Sequence, residues 1–322
     1  MSRSITRQAI ADEAAKRGWS IELISQFDKS LYVITDDKGR SSIGRGGRFM
    51  DASMHGREIS INKHLSYAYI ERLGYKLLPH IVYDEPIEAF QFLHTHAPIV
   101  VKPIDAEQSK GVTVDIVQDD QLASALVEAK RYSLNGNVLL QAQVEGKLYR
   151  ILVVNGKYFA AAYRRPAFVV GDGVLTIEAL IADKNKDPLR SKDGPTPLKT
   201  IPIEDARALL GEVRLREVLP AGEICEVSSI ASISRGGEAE DVTDIVNPFY
   251  RTFAEHISKE LKLPLLGIDL IVEDISQDHP AEATLPLIEI NSLPGFKLHL
   301  FPTAGGQSRD PSPLILDALF DN

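Results

Sequence analysis

The sequence predicts an α+β protein with a small α/β segment at its N-terminus, and three observations support this class. Apolar residues recur at helical spacing in some stretches and alternate in others, so both helices and strands are expected. Turn-forming glycines separate the strand-like stretches in the middle of the chain. The 322 residues leave room for about two domains and an ample buried core.

Charge and cysteine content exclude several kinds of site. The net charge of −9 argues against a nucleic-acid-binding surface, so an anionic ligand must meet a local cluster of Lys and Arg. Cys225 is the only cysteine, which excludes an internal disulfide and a cysteine-based metal site. No run approaches the ~18 apolar residues of a membrane helix. The N-terminus lacks an apolar signal core, so we expect a cytoplasmic protein.

The N-terminal stretches predict a helix, a strand and a hairpin. Apolar residues over 5–18 have helical spacing, "WSIELI" is strand-like, and "SLYVITDDKGRSSIG" contains two strand-like runs. The glycine-rich "GRGGR" at 44–48 is interpreted as a turn, because no helix with a phosphate-loop lysine follows it. A helix starting near Ser60 is expected to carry Lys63 and to end at the glycine of "ERLGY".

The next stretch predicts a hairpin followed by a helix. Strand-like runs at 99–101 and 112–116 flank a polar segment that contains Lys110 and Gly111. A helix is expected at about 119–131. The segment between the two strands is therefore predicted to be a mobile hairpin tip.

The C-terminal half contains further strands and two more predicted helices. Residues 182–200 are polar and Pro-rich, which predicts an exposed excursion of the chain. A helix at about 203–211 follows, and "VNPFYRTFAEHISKELK" predicts a long helix. Two strands, "LLGIDLIVED" and "PLIEINSLPGF", come after it.

Oxygen-bearing side chains share one face of these last two strands. In "PLIEINSLPGF", Ile288 and Ile290 can enter a core while Glu289 and Asn291 project from the other face. In "GIDLIVED", Asp269 projects opposite to the apolar residues. If the strands pair, one wall presents two carboxylates and an amide oxygen, the donors that Mg²⁺ prefers. Alternatively, all three are solvent-facing residues on a half-exposed sheet.

Three lysines are candidates for binding an anion. Lys102 follows three β-branched or apolar residues, and a buried strand rarely ends in an ammonium group unless it meets an anion. It would then hold a phosphate, or else its side chain extends to solvent. Lys63 on a helix and Lys110 in the hairpin tip have the same two interpretations.

Arginines occur in an otherwise apolar strand region, which suggests carboxylate or phosphoryl binding. They are Arg150, Arg164 and Arg165. Neighbours on a strand face opposite ways, so one of the last two should be a bystander. His299, just after the second acidic strand, is a weaker active-site candidate.

The ordered motifs carry a resemblance that covers nearly the whole chain. Lys63, "VVKP" with Lys102, "EQSKGV", Arg164, Asp269 and "IEINSLPGF" together resemble the ATP-grasp superfamily of carboxylate–amine ligases. The stretches "VVNGK", "VVGDG", "SISRGGEAEDVTD" and "LPGFKLHLFPTAGG" are similar to the ATP-grasp portion of cyanophycin synthetases. The stretches "TRQAIADEAAKRGWSIELI" and "INKHLSYAYIERLGY" are similar to the C-terminal ligase module of bifunctional glutathione synthetases.

The resemblance implies an ATP-grasp fold, in which two α/β lobes grip ATP. The expected divisions are a pre-ATP-grasp segment at 1–58, a small lobe with the phosphate loop at 59–136, and a C-terminal lobe at 137–322. The C-terminal lobe would carry the metal site and an insertion near 182–248.

The resemblance also implies roles for individual residues, with ATP and Mg²⁺ as cofactors. Implied nucleotide-binding residues are Lys63, Lys102, Gln108, Ser109, Lys110, Gly111, Gln141, Gln143, Val144 and Glu145. Implied catalytic residues are Arg164, Lys110 and Lys102. Implied ligands of two Mg²⁺ ions, or of Mn²⁺, are Asp269, Glu289 and Asn291, with Glu289 bridging. Implied substrate-binding residues are Arg150, Ser234, Arg235, Gly236, Gly237 and Lys297.

The implied function is an ATP-dependent peptide or amide ligase that acts through an acyl phosphate. Its partners would be a small-molecule carboxylate and an amine, without nucleic acid or membrane, and a homodimer is allowed. Leu148 stands where the family usually has an acidic ribose-binding residue, for which Glu145 could substitute, and Gln141 stands where an acid is common. These departures leave a second hypothesis, a nucleotide-binding regulatory or scaffold protein derived from a ligase. A third is that the acyl phosphate is passed to a thiol or is itself the product.

Overall fold

A computed structural model of the protein describes residues 4–49, 52–106, 110–192, 196–280 and 283–320. The α-helices are α1 Ile5–Lys16, α2 Met54–Ile61, α3 Lys63–Arg72, α4 Pro86–His96, α5 Asp119–Tyr132, α6 Ile177–Lys184, α7 Ile203–Leu215, α8 Pro248–Leu261, α9 Lys297–Leu300 and α10 Ser312–Asp317. The strands are β1 Ser20–Leu23, β2 Tyr32–Thr35, β3 Ser41–Arg45, β4 Arg48–Phe49, β5 His80–Val82, β6 Ile99–Pro103, β7 Thr113–Ile116, β8 Val138–Ala142, β9 Lys147–Val154, β10 Lys157–Arg165, β11 Phe168–Val170, β12 Ile224–Glu226, β13 Glu238–Asp241, β14 Leu265–Val272 and β15 Leu287–Asn291. Within the described ranges, no helix has the length and apolar character needed to cross a bilayer.

The N-terminal segment consists of α1 and an antiparallel sheet of β1 to β4 in sequence order. Tyr32 on β2 pairs with Gly44 on β3, where an added Cβ would lie 2.7 Å from the Tyr32 ring, so only glycine fits. Ile10 of α1 and the strands pack in one core with Leu152 and Leu265 of the C-terminal lobe. The predicted α/β lead segment is confirmed, and it rests on the C-terminal lobe.

The single helix predicted to start near Ser60 is wrong, because two helices, α2 and α3, meet there. Asn62 between them is extended, with φ −115° and ψ 110°, and its side chain accepts a hydrogen bond from the amide of Leu65 at 3.1 Å. An asparagine that caps a helix in this way competes with helix continuation. Lys63 therefore starts α3.

The small lobe is an antiparallel sheet in the order β5–β8–β6–β7, covered by α4 and α5. The predicted hairpin of β6 and β7 and the helix after it are confirmed. Strand β8 pairs with β6 although it begins after the predicted boundary at 136/137. Its Leu140 packs beneath the helices, while Leu139 and Gln141 face the C-terminal lobe.

The C-terminal lobe is built on an antiparallel sheet in the order β13–β10–β9–β14–β15. Helix α8 packs on one face, where Ile151 and Val153 of β9 meet Phe253 and Ile257 in the largest core cluster. The opposite face carries Arg150, Leu152 and Val154, because strand side chains alternate. The polar candidates therefore lie on the face away from α8.

The chain between β10 and β13 forms its own small core from residues 167–227, around α6, α7 and the β11–β12 pair. Strand β13 belongs to the main sheet, although it lies within the predicted insertion near 182–248. The polar excursion is less exposed than predicted at Arg190, which is 5 % exposed. Arg190 Nη1 donates to the carbonyls of Lys199 and Gly236 at 2.9 Å each. Such burial was not visible locally, since its partner Glu238 comes 48 residues later.

Candidate active site

The predicted wall of oxygen donors is assembled by pairing of β14 with β15. Asp269 pairs directly with Glu289, and Gly267 pairs with Asn291. The same row continues across the sheet through Arg150 to Ala162, since Asp269 faces Arg150 on β9 and Arg150 faces Ala162 on β10. The three donors lie together because directly opposed residues in an antiparallel sheet point the same way.

Asp269 is the buried centre of this row, at 1 % exposure. Both nitrogens of a guanidinium fork reach it, with Arg150 Nε on Oδ1 and Arg150 Nη2 on Oδ2 at 2.7 Å. Arg164 Nη1 donates to Oδ2 at 2.8 Å. Burial opposes ionisation, but the charges of Arg150 and Arg164 outweigh it and lower the pKa of the Asp269 carboxyl. Asp269 is therefore a carboxylate held between two cations.

Glu289 and Asn291 are the more accessible members of the wall. The Glu289 side chain is 30 % exposed, and Asn291 Nδ2 donates to Glu289 Oε1 at 3.2 Å. A carboxylate and an amide that can turn its oxygen outward form a hard-oxygen donor set, so these residues fit Mg²⁺. Over the described ranges, no three His, Cys, Asp or Glu side chains cluster as a metal site, and the third donor here is an amide.

Lys102 lies in the small lobe and faces this wall from the other side. It is 4 % exposed, and its Nζ donates to Gln141 Oε1 at 2.7 Å and to the Tyr67 hydroxyl at 3.0 Å. Burial, and then the neighbouring Lys63, lower the pKa of Lys102 to about 7, while Glu289 acts in the opposite direction. A buried ammonium group with two neutral partners is poorly compensated.

Lys63 connects the two lobes at the same place. Its Nζ donates to the carbonyl of Ala106 at 2.9 Å and lies 3.9 Å from Glu289 Oε2. The Tyr67 hydroxyl, one helical turn further along α3, donates to the carbonyl of Ile288 on β15 at 2.7 Å. The lysines and the acidic wall therefore converge on one cleft.

The predicted phosphate loop is described only in part, because Gln108 and Ser109 lie outside the described residues. Lys110 is exposed, and Gly111 has φ +68°. An added Cβ on Gly111 would lie 3.0 Å from Pro103 and from Tyr132, so glycine suits both the backbone and the space there.

The predicted hinge continues from β8. Gln141 is 2 % exposed and points at Lys102, while Gln143 binds Asp115 through its side-chain amide and donates its backbone N–H to the carbonyl of Pro98 at 2.9 Å. Val144 is half-buried and Glu145 is exposed. The side chain of Gln141 thus acts on the lysine, a role that the sequence did not suggest.

The candidate substrate-binding residues divide into two places. Arg150 belongs to the acidic wall, as described above. The others lie around a short 3₁₀ turn and the start of α9, where Ile233 and Leu298 pack in one small cluster on the main sheet. The members are Ser234, Arg235, Gly236, Gly237 and Lys297.

Two of these residues already interact with charged side chains of the protein: Arg235 with a carboxylate and Lys297 with another lysine. Arg235 Nε donates to Asp205 at 2.7 Å. Burial, and then Lys199, lower the pKa of Lys297. Gly236 has φ +83°, and an added Cβ on Gly237 would lie 2.7 Å from the carbonyl oxygen of Arg165. The glycines therefore let the turn pack closely on the edge of the sheet.

Sequence reasoning missed Tyr67 and did not predict the burial of His299. Tyr67 lies four residues after Lys63, so helical spacing could have placed both on one face. His299 is 2 % exposed, and neither ring nitrogen has a partner among the described residues. Burial, and then the charge of Arg150, lower the pKa of His299 to about 3, so the ring is neutral at pH 7. No local pattern marks such a histidine.

Comparison with known proteins identifies relatives of the chain, although no family model matches it. A cyanophycin synthetase from Crocosphaera subtropica is 35% identical over 228 residues, which cover 69% of this chain and 26% of that protein. The glutathione biosynthesis bifunctional protein GshAB from Clostridium perfringens is 30% identical over 244 residues, which cover 74% of this chain and 31% of that protein. The chain thus spans only about a quarter to a third of these relatives.

A solved structure agrees with these relatives over almost the whole chain. The bifunctional glutathione synthetase from Pasteurella multocida superposes with a TM-score of 0.76 at 25% identity and covers 98% of this chain and 43% of that one. The implied fold is confirmed. The chain has the ATP-grasp fold and is a relative of the cyanophycin synthetases and of the bifunctional glutathione synthetases.

Proposed function

We propose that the chain is an ATP-dependent carboxylate–amine ligase that forms a peptide or amide bond on amino-acid-like or peptide-like substrates. One observation carries the proposal: lysines of one lobe meet the acidic wall of the other, with Lys63 Nζ 3.9 Å from Glu289 Oε2. The names of the relatives support it, since both groups are synthetases.

The reaction proceeds in two steps, phosphorylation of the carboxylate and attack by the amine. A carboxylate does not react with an amine at neutral pH, because oxide is too poor a leaving group. Transfer of the γ-phosphoryl group to a carboxylate oxygen gives an acyl phosphate and ADP. The amine then attacks the acyl carbon, loses a proton and expels inorganic phosphate, which leaves the amide.

The chain's own residues have distinct tasks in these steps. Lys63 and Lys102 bind the phosphates, and the poorly compensated charge of Lys102 becomes paired when an anion arrives. Arg164, with Lys110 from the loop, compensates charge on the phosphoryl group in flight. Gln141 and Tyr67 orient the Lys102 ammonium group.

Glu289, Asn291 and Asp269 would hold the metal. ATP-grasp ligases use ATP and Mg²⁺. We propose that these residues would hold two ions, with Mn²⁺ as a substitute for Mg²⁺. When bound, Mg²⁺ neutralises negative charge on the β- and γ-phosphate oxygens. The substrates would be small molecules. The cytoplasmic location, the homodimer and the domain boundaries stay predictions.

The test is coupled ADP release with a panel of carboxylate and amine pairs, using wild type and Glu289→Ala. We expect Glu289→Ala to lower turnover by about 10³-fold, because it removes the accessible carboxylate of the wall. The control is Glu273→Ala, since Glu273 is an exposed carboxylate just beyond β14. Full turnover by Glu289→Ala would refute the metal assignment. Tight Mg·ATP binding by wild type without turnover of any pair would favour the regulatory alternative.

A further inference from the structure

A cavity of about 320 Å³ lies between the N-terminus of α1 and the turn that follows β15. The turn contributes residues 293–295, and Gly46 contributes backbone. The side chains that line the cavity on the N-terminal segment are three hydroxyls and three cations. They are Ser4, Thr6, Ser30, Arg7, Lys29 and Arg45. No carboxylate lines the cavity within the described ranges.

Arg7 is the buried cation of this cavity, at 6 % exposure. Its Nη1 donates to the carbonyl of Lys29, while its Nη2 is buried without a partner among the described residues. Buried polar atoms nearly always have a hydrogen-bond partner, and an unpaired buried guanidinium nitrogen is costly. A ligand that accepts a hydrogen bond in the cavity would remove this cost.

The surroundings of Arg7 select a negatively charged ligand. Lys29 and Arg45 are exposed at the rim, and the first turn of the 12-residue helix α1 adds its partial positive charge. Asp28 is close enough to Arg45 to feel its charge, but its carboxylate is exposed and already bonded by Ser30. Three cations against one outward carboxylate leave the cavity positive.

The cavity adjoins the acidic wall through a single turn. Leu293 follows Asn291 by two residues, and Pro294 lines the cavity on one side. On its other side, Pro294 packs at Gly267, where an added Cβ would lie 2.9 Å from Pro294 and 3.2 Å from Arg150. Pro294 therefore lies between the cavity and the acidic wall.

We propose that this cavity binds a substrate carboxylate that does not itself react, with Arg7 as the buried donor and Arg45 and Lys29 at the rim. The inference rests on the proposed function and names its substrate class, an amino-acid-like molecule with a carboxylate besides the reacting group. Inorganic phosphate has the same oxyanion chemistry, so the experiment separates the two.

The first arm measures steady-state kinetics with the pair that wild type turns over. Arg7→Gln should raise the KM of the carboxylate-bearing substrate by about 10–100-fold, since it removes a charge-assisted hydrogen bond. Arg45→Gln, an exposed change that spares the core, should raise it by about 3–10-fold. The KM for ATP should not change, and the carboxamide analogue should not respond to either variant. Lys38→Gln, an exposed lysine in the β2–β3 turn, is the control.

The second arm titrates wild type and both variants calorimetrically with L-glutamate and with inorganic phosphate, without ATP. Weaker L-glutamate binding in the variants supports the proposal. An unchanged KM for the carboxylate-bearing substrate overturns it, as does variant-sensitive binding of phosphate alone. If wild type turns over no pair of substrates, the proposed function fails. The L-glutamate titration then still tests the cavity proposal, which is overturned if wild type and Arg45→Gln give equal heats of binding or none.

Discussion

Lys102 in the small lobe and Asp269 in the C-terminal lobe are buried charges that the protein treats in opposite ways. Lys102, at 4 % exposure, donates to two neutral oxygens, those of Gln141 and Tyr67. Asp269, at 1 % exposure, accepts from the guanidinium groups of Arg150 and Arg164. One charge is held in place by neutral dipoles, and the other is fully paired.

This difference assigns different tasks to the two lobes. A cation with neutral partners keeps its position while its charge stays available for an arriving anion. A carboxylate between two guanidinium groups also fixes their geometry, and Glu289 and Asn291 are the more accessible donors of the wall. Preorganised charge of this kind is the main source of rate acceleration in phosphoryl transfer.

The largest expected effect is that of Asp269→Asn, which removes the paired carboxylate and leaves two guanidinium groups without their anionic partner. Loss of one partner of a buried ion pair costs about 3–5 kcal/mol of unfolding free energy. Urea denaturation of wild type and variant measures it. The matched control is Asp317→Asn, because the Arg17–Asp317 pair has a carboxylate that is 54% exposed and should contribute less than about 1 kcal/mol. Equal losses in both variants would contradict the contrast.

Lys102→Met removes the other buried charge and should harm activity more than stability. We expect turnover to fall by about 10²–10³-fold, because one preorganised donor to the phosphates is lost. The unfolding free energy should change far less than in Asp269→Asn, since the lost charge had no ionic partner. ADP release and urea denaturation of the same preparations test this. A stability loss as large as that of Asp269→Asn would show that Lys102 is structural.

The neighbouring residues Arg164 and Arg165 allow a comparison of two arginines on opposite faces of one strand. Arg164→Gln should lower turnover by about 10²-fold, because this guanidinium group pairs with Asp269 in the acidic wall. Arg165→Gln should change turnover by less than about threefold, since its guanidinium group lies 4.0 Å from the Phe168 ring on the other side of the strand. The pair controls for loss of charge. Equal effects would remove Arg164 from the reaction.

The smallest expected effect is the pH dependence of Mg·ATP binding. The folded-state pKa of Lys102, about 7, lies below its ordinary value of 10.5, so the buried ammonium group destabilises the protein below pH 7 and the penalty fades as pH rises to 10.5. Phosphate favours the protonated form, so binding in this window takes up a proton.

Affinity for Mg·ATP should therefore fall by up to about tenfold between pH 7 and pH 8. Calorimetry at pH 8 in buffers of different ionisation enthalpy measures the proton uptake. The uptake should vanish in Lys102→Met. Uptake that persists in that variant would assign the proton to another group.

Local patterns predicted much of the site. Alternation along "PLIEINSLPGF" placed Glu289 and Asn291 on one face, and the structure keeps them there. The position of Lys102 after an apolar run left anion binding and extension to solvent both open, and the structure buries the side chain. Such inferences succeed because strand periodicity and burial are properties of a few consecutive residues.

Other features depended on contacts that no short stretch encodes. At the break near Asn62, the backbone N–H of Lys63 donates to the carbonyl of Ile104 at 2.9 Å, a contact with a distant segment of the chain. The roles of Tyr67 and Gln141 depend on Lys102 from a third element. Arg190 is buried because Glu238 lies opposite to it in space.

The sequence alone determined which residue types face out of each strand, where the chain turns, and that lysines and carboxylates of the right chemistry are present. Only the tertiary structure decided which charges meet. Strand register set Asp269 opposite Arg150, and the folding of α1 against the turn after β15 set Arg7 beside Pro294. The physical reason is that side-chain direction follows from local backbone geometry, whereas charge pairing depends on distances between segments far apart in the chain.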